Sequence, residues 1–88
     1  MAGEVQFHEI HAEMVATVMT VSTESGMRVD VGDTLLVLES MKMEIPVLAE
    51  RAGVVVDVGV AAGDVVQEGD LLVRVDAGTA PAASPGKG

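Results

Sequence analysis

Runs rich in valine and other β-branched residues are separated, along most of the chain, by short turns marked by glycine or Gly-Asp. β-branched side chains favour strands and glycine favours tight turns, so this pattern predicts an all-β fold with almost no helix. The predicted strands cover residues 5–10, 15–21, 28–29, 34–40, 43–48, 53–60, 65–66 and 71–76.

The second half of this pattern repeats the first half. A shift of 37 residues superimposes the turn Gly32-Asp33 on the turn Gly69-Asp70, and we assign these four residues structural roles. The same shift aligns further pairs: Val18 with Val55, Val21 with Val58, Gly26 with Gly63, Val29 with Val66, and Leu35 with Leu72. Neither half can bury both faces of its strands alone. We therefore expect two four-stranded antiparallel sheets packed on each other about a quasi-twofold axis.

Composition divides the chain into one domain, residues 1–76, and a tail, residues 77–88. The tail consists mainly of small residues and proline, which cannot offset the entropy of ordering, so we expect it to be flexible. A chain of 88 residues has room for one small domain that buries about 60% of its unfolded surface. A large catalytic cleft is not expected.

Charge and cysteine content exclude several classes of partner. Fourteen acidic and five basic residues give a formal net charge of −9, which opposes binding to a nucleic-acid backbone. There is no cysteine for a disulfide or a thiolate metal site. The first residues do not resemble a signal peptide, and no apolar run approaches the ~18 residues of a membrane span. We expect a cytoplasmic protein that is monomeric when isolated and has no membrane partner.

Lys42 is the strongest candidate functional residue. It lies in the run Met41-Lys42-Met43, between the predicted strands 34–40 and 43–48. So short a connection predicts a tight hairpin whose tip projects into solvent, where a modifying enzyme could reach the lysine. The competing interpretation is an ordinary exposed turn whose methionines cap the edge of the core. We interpret Lys42 as an attachment lysine.

Three other features have simpler explanations. His8 and His11 lie near Glu9 and Glu13, but their spacing fits no common metal motif, and a solvated edge strand explains them. Gly59 and Gly63 open no helix and match no phosphate-binding pattern. Exposed acids on the remaining turns and strands favour solubility, with docking to a basic surface as the alternative. These acids are Glu24, Asp30, Asp57, Asp64, Glu68 and Asp70.

The run Glu39-Ser40-Met41-Lys42-Met43, the two Gly-Asp turns and the internal repeat together resemble the biotinyl domains of biotin-dependent carboxylases. The resemblance covers residues 12–76, within the biotin/lipoyl attachment family, and the chain is similar in length to the small stand-alone biotinylated members. It implies a flattened barrel-sandwich of two four-stranded sheets. The chain departs from the family pattern at residues 13–16, where many members have Pro-Met-Pro-Gly, and at Ser40, where Ala is common.

The resemblance also implies a cofactor, a site and partners. Biotin would be held in amide linkage to Lys42 by a biotin protein ligase. The ligase would recognise the flanking residues, which are Glu39, Ser40, Met41, Met43 and Glu44. The attached biotin would carry carboxyl groups between biotin carboxylase and carboxyltransferase components, and the carrier itself would have no catalytic residue and no metal.

Two alternative functions remain open from the sequence. A lipoyl carrier has the same architecture, but its lysine typically lies in an Asp-Lys-Ala-like context, which Met41 and Met43 do not match. An unmodified interaction module would use the hairpin as a docking surface. Loss of activity on substitution of Lys42 would separate the two carrier functions from the third.

Overall fold

The computed structural model describes residues 5–79 and places eight β-strands, and no helix, in that range. None of these residues therefore forms a helix long and apolar enough to cross a membrane. The strands are β1 Val5–His11, β2 Ala16–Val21, β3 Arg28–Val29, β4 Thr34–Ser40, β5 Met43–Leu48, β6 Gly53–Val58, β7 Val65–Val66 and β8 Leu71–Thr79.

The strands form two four-stranded antiparallel sheets, in the orders β1-β8-β6-β3 and β5-β4-β2-β7. A shift of 37 residues converts the first order into the second, strand by strand. Each sheet combines strands from both halves of the sequence, because β8 and β6 pair with β1 and β3, and β4 and β2 pair with β5 and β7. The prediction of two four-stranded sheets related by the repeat is confirmed.

Backbone hydrogen bonds outside the strand ladders obey the same symmetry. The N–H of Gly26 donates to the carbonyl of Val55 at 2.7 Å, and the N–H of Gly63 donates to that of Val18 at 2.8 Å. These two bonds exchange when residue numbers are shifted by 37. Each half therefore supplies the backbone acceptor for a turn of the other half.

The core between the sheets consists of small aliphatic side chains. Leu36 and Leu38 point inward from β4 while Glu39 lies outside, as the alternation of a half-buried strand requires. Each fully buried leucine or valine contributes about 1.5–3 kcal/mol. The buried apolar residues are Ala12, Ala16, Val18, Val29, Leu35, Leu36, Leu38, Ala49, Val55, Val66, Leu72, Val73 and Val75.

The last strand is longer than predicted. The sequence analysis ended it at Asp76 and assigned the next residues to the tail, but β8 continues to Thr79, whose backbone pairs with Val5 of β1. Pairing with β1 supplies hydrogen-bond partners to a segment that has too few bulky side chains to predict a strand. Residues 77–79 therefore belong to the domain. The rest of the predicted tail, 80–88, and residues 1–4 lie outside the described part of the chain.

Other strand ends differ from prediction by one or two residues: β1 ends at His11, β2 begins at Ala16, and β6 ends at Val58. Each difference has one of two causes. Either a turn occupies residues that were predicted as strand, or pairing with a neighbouring strand makes the strand longer than predicted. The strands 28–29, 34–40, 43–48 and 65–66 have the predicted bounds.

The two ends of the molecule carry different connections. Thr17 of β2 pairs with Glu39 of β4, so the start of β2 lies beside the end of β4. The N–H of Gly69 donates to the carbonyl of Ala12 at 2.8 Å, which brings the turn before β8 to the same end. We call this the hairpin end, and it comprises residues 12–15, 41–42 and 67–70. The repeat places residues 49–52, 78–79 and 30–33 at the opposite end.

Candidate functional site

Lys42 lies in a two-residue hairpin between β4 and β5. Ser40 pairs with Met43 across the hairpin, which leaves only Met41 and Lys42 to reverse the chain. Both have positive φ, 55° for Met41 and 66° for Lys42. Positive φ at both central residues is the requirement of a type I′ turn, whose twist matches that of the flanking strands.

The residues at this turn are unusual for its geometry. Type I′ turns strongly favour Asn-Gly or Gly-Gly, because a left-handed conformation costs a residue with a β-carbon about 1–2 kcal/mol. The repeat places Gly78 at the position equivalent to Met41, and Gly78 also has positive φ, 94°. The backbone thus accepts glycine here, and the strain of Met41 points to a role for its side chain.

The three residues at the tip are accessible. Met41 is 91% exposed and Met43 is 65% exposed, and Lys42 is exposed as well. None of the ion pairs found within residues 5–79 involves Lys42. An accessible primary amine can act as a nucleophile once it has lost its proton. The site therefore presents an amine and two thioether side chains to whatever approaches the tip.

The strands below the tip hold it in place. Leu38 is buried, and its cross-strand partner Ile45 packs against the core. Glu39 and Glu44 lie directly opposite each other one pair nearer the tip, and both are exposed. Like charges at such a position destabilise a sheet slightly. Ser40 is half-buried, so of the five residues predicted to flank the lysine site it is the least accessible.

The Gly-Asp residues predicted to be structural lie in the turns that precede β4 and β8. Asp33 accepts a hydrogen bond from the N–H of Asp30 at 2.8 Å through Oδ2, and Asp70 accepts one from the N–H of Gln67 at 2.9 Å. Gly32, with φ of 92°, supplies the left-handed conformation that such a turn requires. These contacts shape the turns and provide no reactive group.

The two histidines lie on the edge strand β1. His8 Nε2 lies 2.9 Å from Glu50 Oε1, and His11 Nε2 lies 3.2 Å from Glu9 Oε1. Among residues 5–79 no group of three or more histidine, cysteine or acidic side chains is arranged to hold a metal ion. Glu13 is exposed and takes part in none of these contacts. The histidine side chains therefore make surface contacts with the carboxylates of Glu50 and Glu9.

A groove runs between the edge strands β1 and β5. Its volume is about 180 Å³, and Ile10, Leu38, Ile45, Val47 and Leu72 provide most of its apolar lining. Binding pockets for small molecules usually measure about 300–1,000 Å³. The groove is therefore too small for a free substrate, and the exposed hairpin is the better candidate site.

The strand register brings one segment to the hairpin that sequence reasoning missed. Because Thr17 pairs with Glu39, the segment that precedes β2 lies at the same end of the molecule as the hairpin tip. Val15 precedes β2 and follows Met14, and both side chains are exposed. Nothing local in the sequence indicates this proximity, since 26 positions separate Val15 from Met41.

Comparison with known proteins relates the chain to a large group of carriers. A family model of biotin and lipoyl attachment domains, described as "Biotin-requiring enzyme", matches residues 8–75. A biotinylated protein TB7.3 homolog from Mycobacterium leprae is 53% identical over 67 residues, which are 76% of this chain and 94% of that protein. A biotin/lipoyl attachment protein from Bacillus subtilis is 37% identical over 70 residues, 80% of this chain and 96% of that protein.

Solved structures share the architecture. A single-chain, multi-domain long-chain acyl-CoA carboxylase superimposes with a TM-score of 0.75 at 35% identity, covering 84% of this chain and 7% of that one. The lipoyl domain of the 2-oxoglutarate dehydrogenase complex from Azotobacter vinelandii superimposes with a TM-score of 0.71 at 29% identity, covering 80% of this chain and 96% of that one. The predicted all-β, two-sheet fold is the fold of these structures.

Proposed function

This chain belongs to the biotin/lipoyl attachment family, and from that premise we propose that Lys42 is the residue to which biotin is covalently attached. The chain is a biotin carboxyl carrier-like domain that requires biotin and does not itself catalyse a reaction. The observation that carries the assignment to Lys42 is its position between two exposed methionines at the tip of a hairpin with left-handed backbone.

The residues at the tip fit covalent attachment. Lys42 Nζ loses a proton and attacks the carboxyl carbon of an activated acyl-adenylate, so a C–N bond forms as the C–O bond to AMP breaks. The product is an amide, which removes the positive charge of the lysine. Biotin, once attached, supplies a ring nitrogen that accepts and releases a carboxyl group. The chain contributes reach and orientation, because a tethered group has a high effective concentration at each enzyme that the tip can enter.

The proposed partners are a biotin protein ligase and the biotin carboxylase and carboxyltransferase components of a carboxylase. The likeness to a long-chain acyl-CoA carboxylase supports the carboxylase partners. We further propose that the ligase reads Glu39, Ser40, Met41, Met43 and Glu44. We also propose that the carrier is monomeric. We place it in the cytoplasm, where ATP is available for formation of the acyl-adenylate.

The lipoyl alternative has less support. The chain shares its fold with a lipoyl domain, so the hairpin alone does not select the cofactor. A family member that is biotinylated is 53% identical to this chain, and thioether side chains on both sides of Lys42 favour biotin.

The test uses the two lysines of the chain. We expect protein incubated with a bacterial biotin protein ligase, ATP and biotin to gain one biotin, which peptide mapping by mass spectrometry places on Lys42. Lys42→Arg should gain none. Lys87→Arg, which removes the other lysine, is the control and should react like the wild type. Biotin on Lys87, or none on the wild-type protein, would contradict the proposal. Lipoylation by a lipoate ligase in place of biotinylation would favour the alternative.

A further inference from the structure

Exposed apolar side chains collect at the hairpin end. Met41 and Met43 flank Lys42, and the pairing of Thr17 with Glu39 brings Met14 and Val15, which precede β2, to the same end of the molecule. Val15 is two residues before Thr17, and Met41 is two residues after Glu39, the partner of Thr17. Val15 is 63% exposed and Met14 is 41% exposed. We call Met14, Val15, Met41 and Met43 the hairpin-end patch.

The internal repeat provides a comparison for this patch. The positions equivalent to Met14, Val15 and Met41 carry Arg51, Ala52 and Gly78, all at the opposite end of the molecule. The same backbone therefore accommodates a charged residue, a small residue and glycine at these places. Neither strand pairing nor core packing requires large apolar side chains there. Their presence at one end only indicates a function of that end.

Acidic side chains surround the patch. Glu13 precedes Met14, and Glu39 and Glu44 lie directly below the tip, and all three carboxylates are exposed. Lys42 is the only basic residue among residues 12–15, 39–44 and 67–70. An apolar centre with a charged rim is the usual composition of a protein–protein interface. The arrangement fits a partner that has an apolar depression with basic side chains around it.

We propose that the enzyme that attaches biotin to Lys42 docks on Met14 and Val15 as well as on the hairpin. The inference rests on the proposed function, since it concerns recognition at the same site. A standard interface covers about 800 Å² on each partner, far more than a two-residue turn can provide. The surface continuous with the tip is the segment that precedes β2, so a ligase that holds Lys42 covers Met14 and Val15. These two residues are specificity determinants that act by contact with the ligase.

The test compares two double variants with matched exposure. The variant Val15→Thr/Met14→Gln makes two of the four residues of the hairpin-end patch polar and adds no charge. Val31→Thr/Met27→Gln is the control, because Val31 is 66% exposed and Met27 is 43% exposed, and both flank β3, which is in the other sheet from the hairpin strands. The measurement is the initial rate of biotinylation of Lys42 by a bacterial biotin protein ligase over a range of carrier concentrations.

We expect kcat/KM for the carrier to fall about tenfold or more in the Val15→Thr/Met14→Gln variant, mainly through KM, and to stay within about twofold in the control. Thermal unfolding monitored by circular dichroism verifies that both variants fold. If the double variant unfolds, Val15→Ala replaces it, since the equivalent position already carries Ala52.

The outcomes separate this inference from the proposed function. Wild-type protein biotinylated at Lys42, with both double variants equally active, would overturn the docking surface and leave the attachment site intact. An equal loss in both double variants would overturn it too, because the effect would then not be specific to the hairpin end. Unchanged biotinylation with slower carboxylation of the biotinylated variant by a biotin carboxylase would assign the patch to the carboxylase and overturn the ligase proposal.

Discussion

At the scale of single residues, the hairpin tip contains residue types that disfavour the backbone conformation they adopt. Met41 and Lys42 both adopt positive φ, although the equivalent of Met41 in the second half is a glycine. Every other residue with positive φ within the described range is glycine. A left-handed methionine that is 91% exposed gains no packing energy in return. We therefore expect the side chain of Met41 to be needed for recognition of the hairpin tip.

Met41→Gly tests this expectation. Glycine removes the left-handed strain of about 1–2 kcal/mol but makes the unfolded chain more flexible, so we expect the unfolding free energy to rise by up to about 1 kcal/mol. Biotinylation of Lys42 should become slower at the same time. Urea unfolding followed by circular dichroism measures the first effect, and the ligase assay measures the second.

The reciprocal exchange, Gly78→Met, is the control for the strain. A β-carbon there would meet no heavy atom within 4 Å, so the positive φ is the main obstacle to the substitution. We expect it to lower the unfolding free energy by about 1–2 kcal/mol without an effect on biotinylation. Destabilisation by Met41→Gly would instead mean that contacts of the methionine hold the hairpin together.

At the scale of elements, the two halves of the sequence have equivalent turns. One connects β3 to β4, and the other connects β7 to β8. The turn before β4 is closed by Asp33 and the turn before β8 by Asp70, each through a hydrogen bond from the backbone three residues earlier. The Asp33 turn belongs to the opposite end and the Asp70 turn to the hairpin end. The two turns are therefore separate sites of the same kind.

Asp33→Ala and Asp70→Ala should each lower the unfolding free energy by about 1 kcal/mol, because each leaves one backbone N–H without its side-chain acceptor. Since the turns lie at opposite ends, the double variant should show the sum of the two effects within about 0.5 kcal/mol. Urea unfolding of the four proteins measures these values.

The matched variants Asp33→Asn and Asp70→Asn keep an oxygen that can accept the same bond, so they should retain most of the stability. A double variant much less stable than the sum of the single variants would mean that the repeat couples the two turns through the core.

At the scale of the whole molecule, charge is the dominant property outside the core. The chain carries a formal net charge of −9, and among residues 5–79 one arginine–carboxylate ion pair and two histidine–carboxylate contacts are found. Glu9 takes part in two of them, 3.2 Å from Arg74 Nη2 and 3.2 Å from His11 Nε2. Such exposed pairs contribute about 0–1 kcal/mol each. Repulsion among the remaining carboxylates therefore outweighs these local attractions.

Salt should stabilise the fold for this reason. Screening shortens the range of repulsion from about 30 Å at 0.01 M salt to less than 10 Å above 0.15 M. We expect the midpoint of thermal unfolding to rise by about 4–8 °C between 0.01 M and 0.5 M sodium chloride, which corresponds to about 1 kcal/mol. Circular dichroism measures the midpoint. Sucrose, which stabilises by exclusion and does not screen charge, is the control, and a lower midpoint in salt would contradict the argument.

The sequence determined the features that depend on local chemistry. Strand and turn propensities, together with the 37-residue repeat, were sufficient for the two four-stranded sheets, and the bounds of β3, β4, β5 and β7 agree with prediction. The turn between β4 and β5 was located because its flanking runs are strongly apolar. Lys42 was singled out from its methionine neighbours, which are a property of the sequence alone.

The tertiary structure decided the features that depend on pairing between distant segments. Residues 77–79 form a strand only because β1 lies beside them, and Met14 and Val15 lie at the hairpin end only because β2 pairs with β4. The left-handed strain at Met41 also follows from the tight closure of the hairpin, which the residue types oppose. The physical reason is common to all three: hydrogen-bond register and burial between strands set these positions, and neither is encoded in any short stretch of sequence.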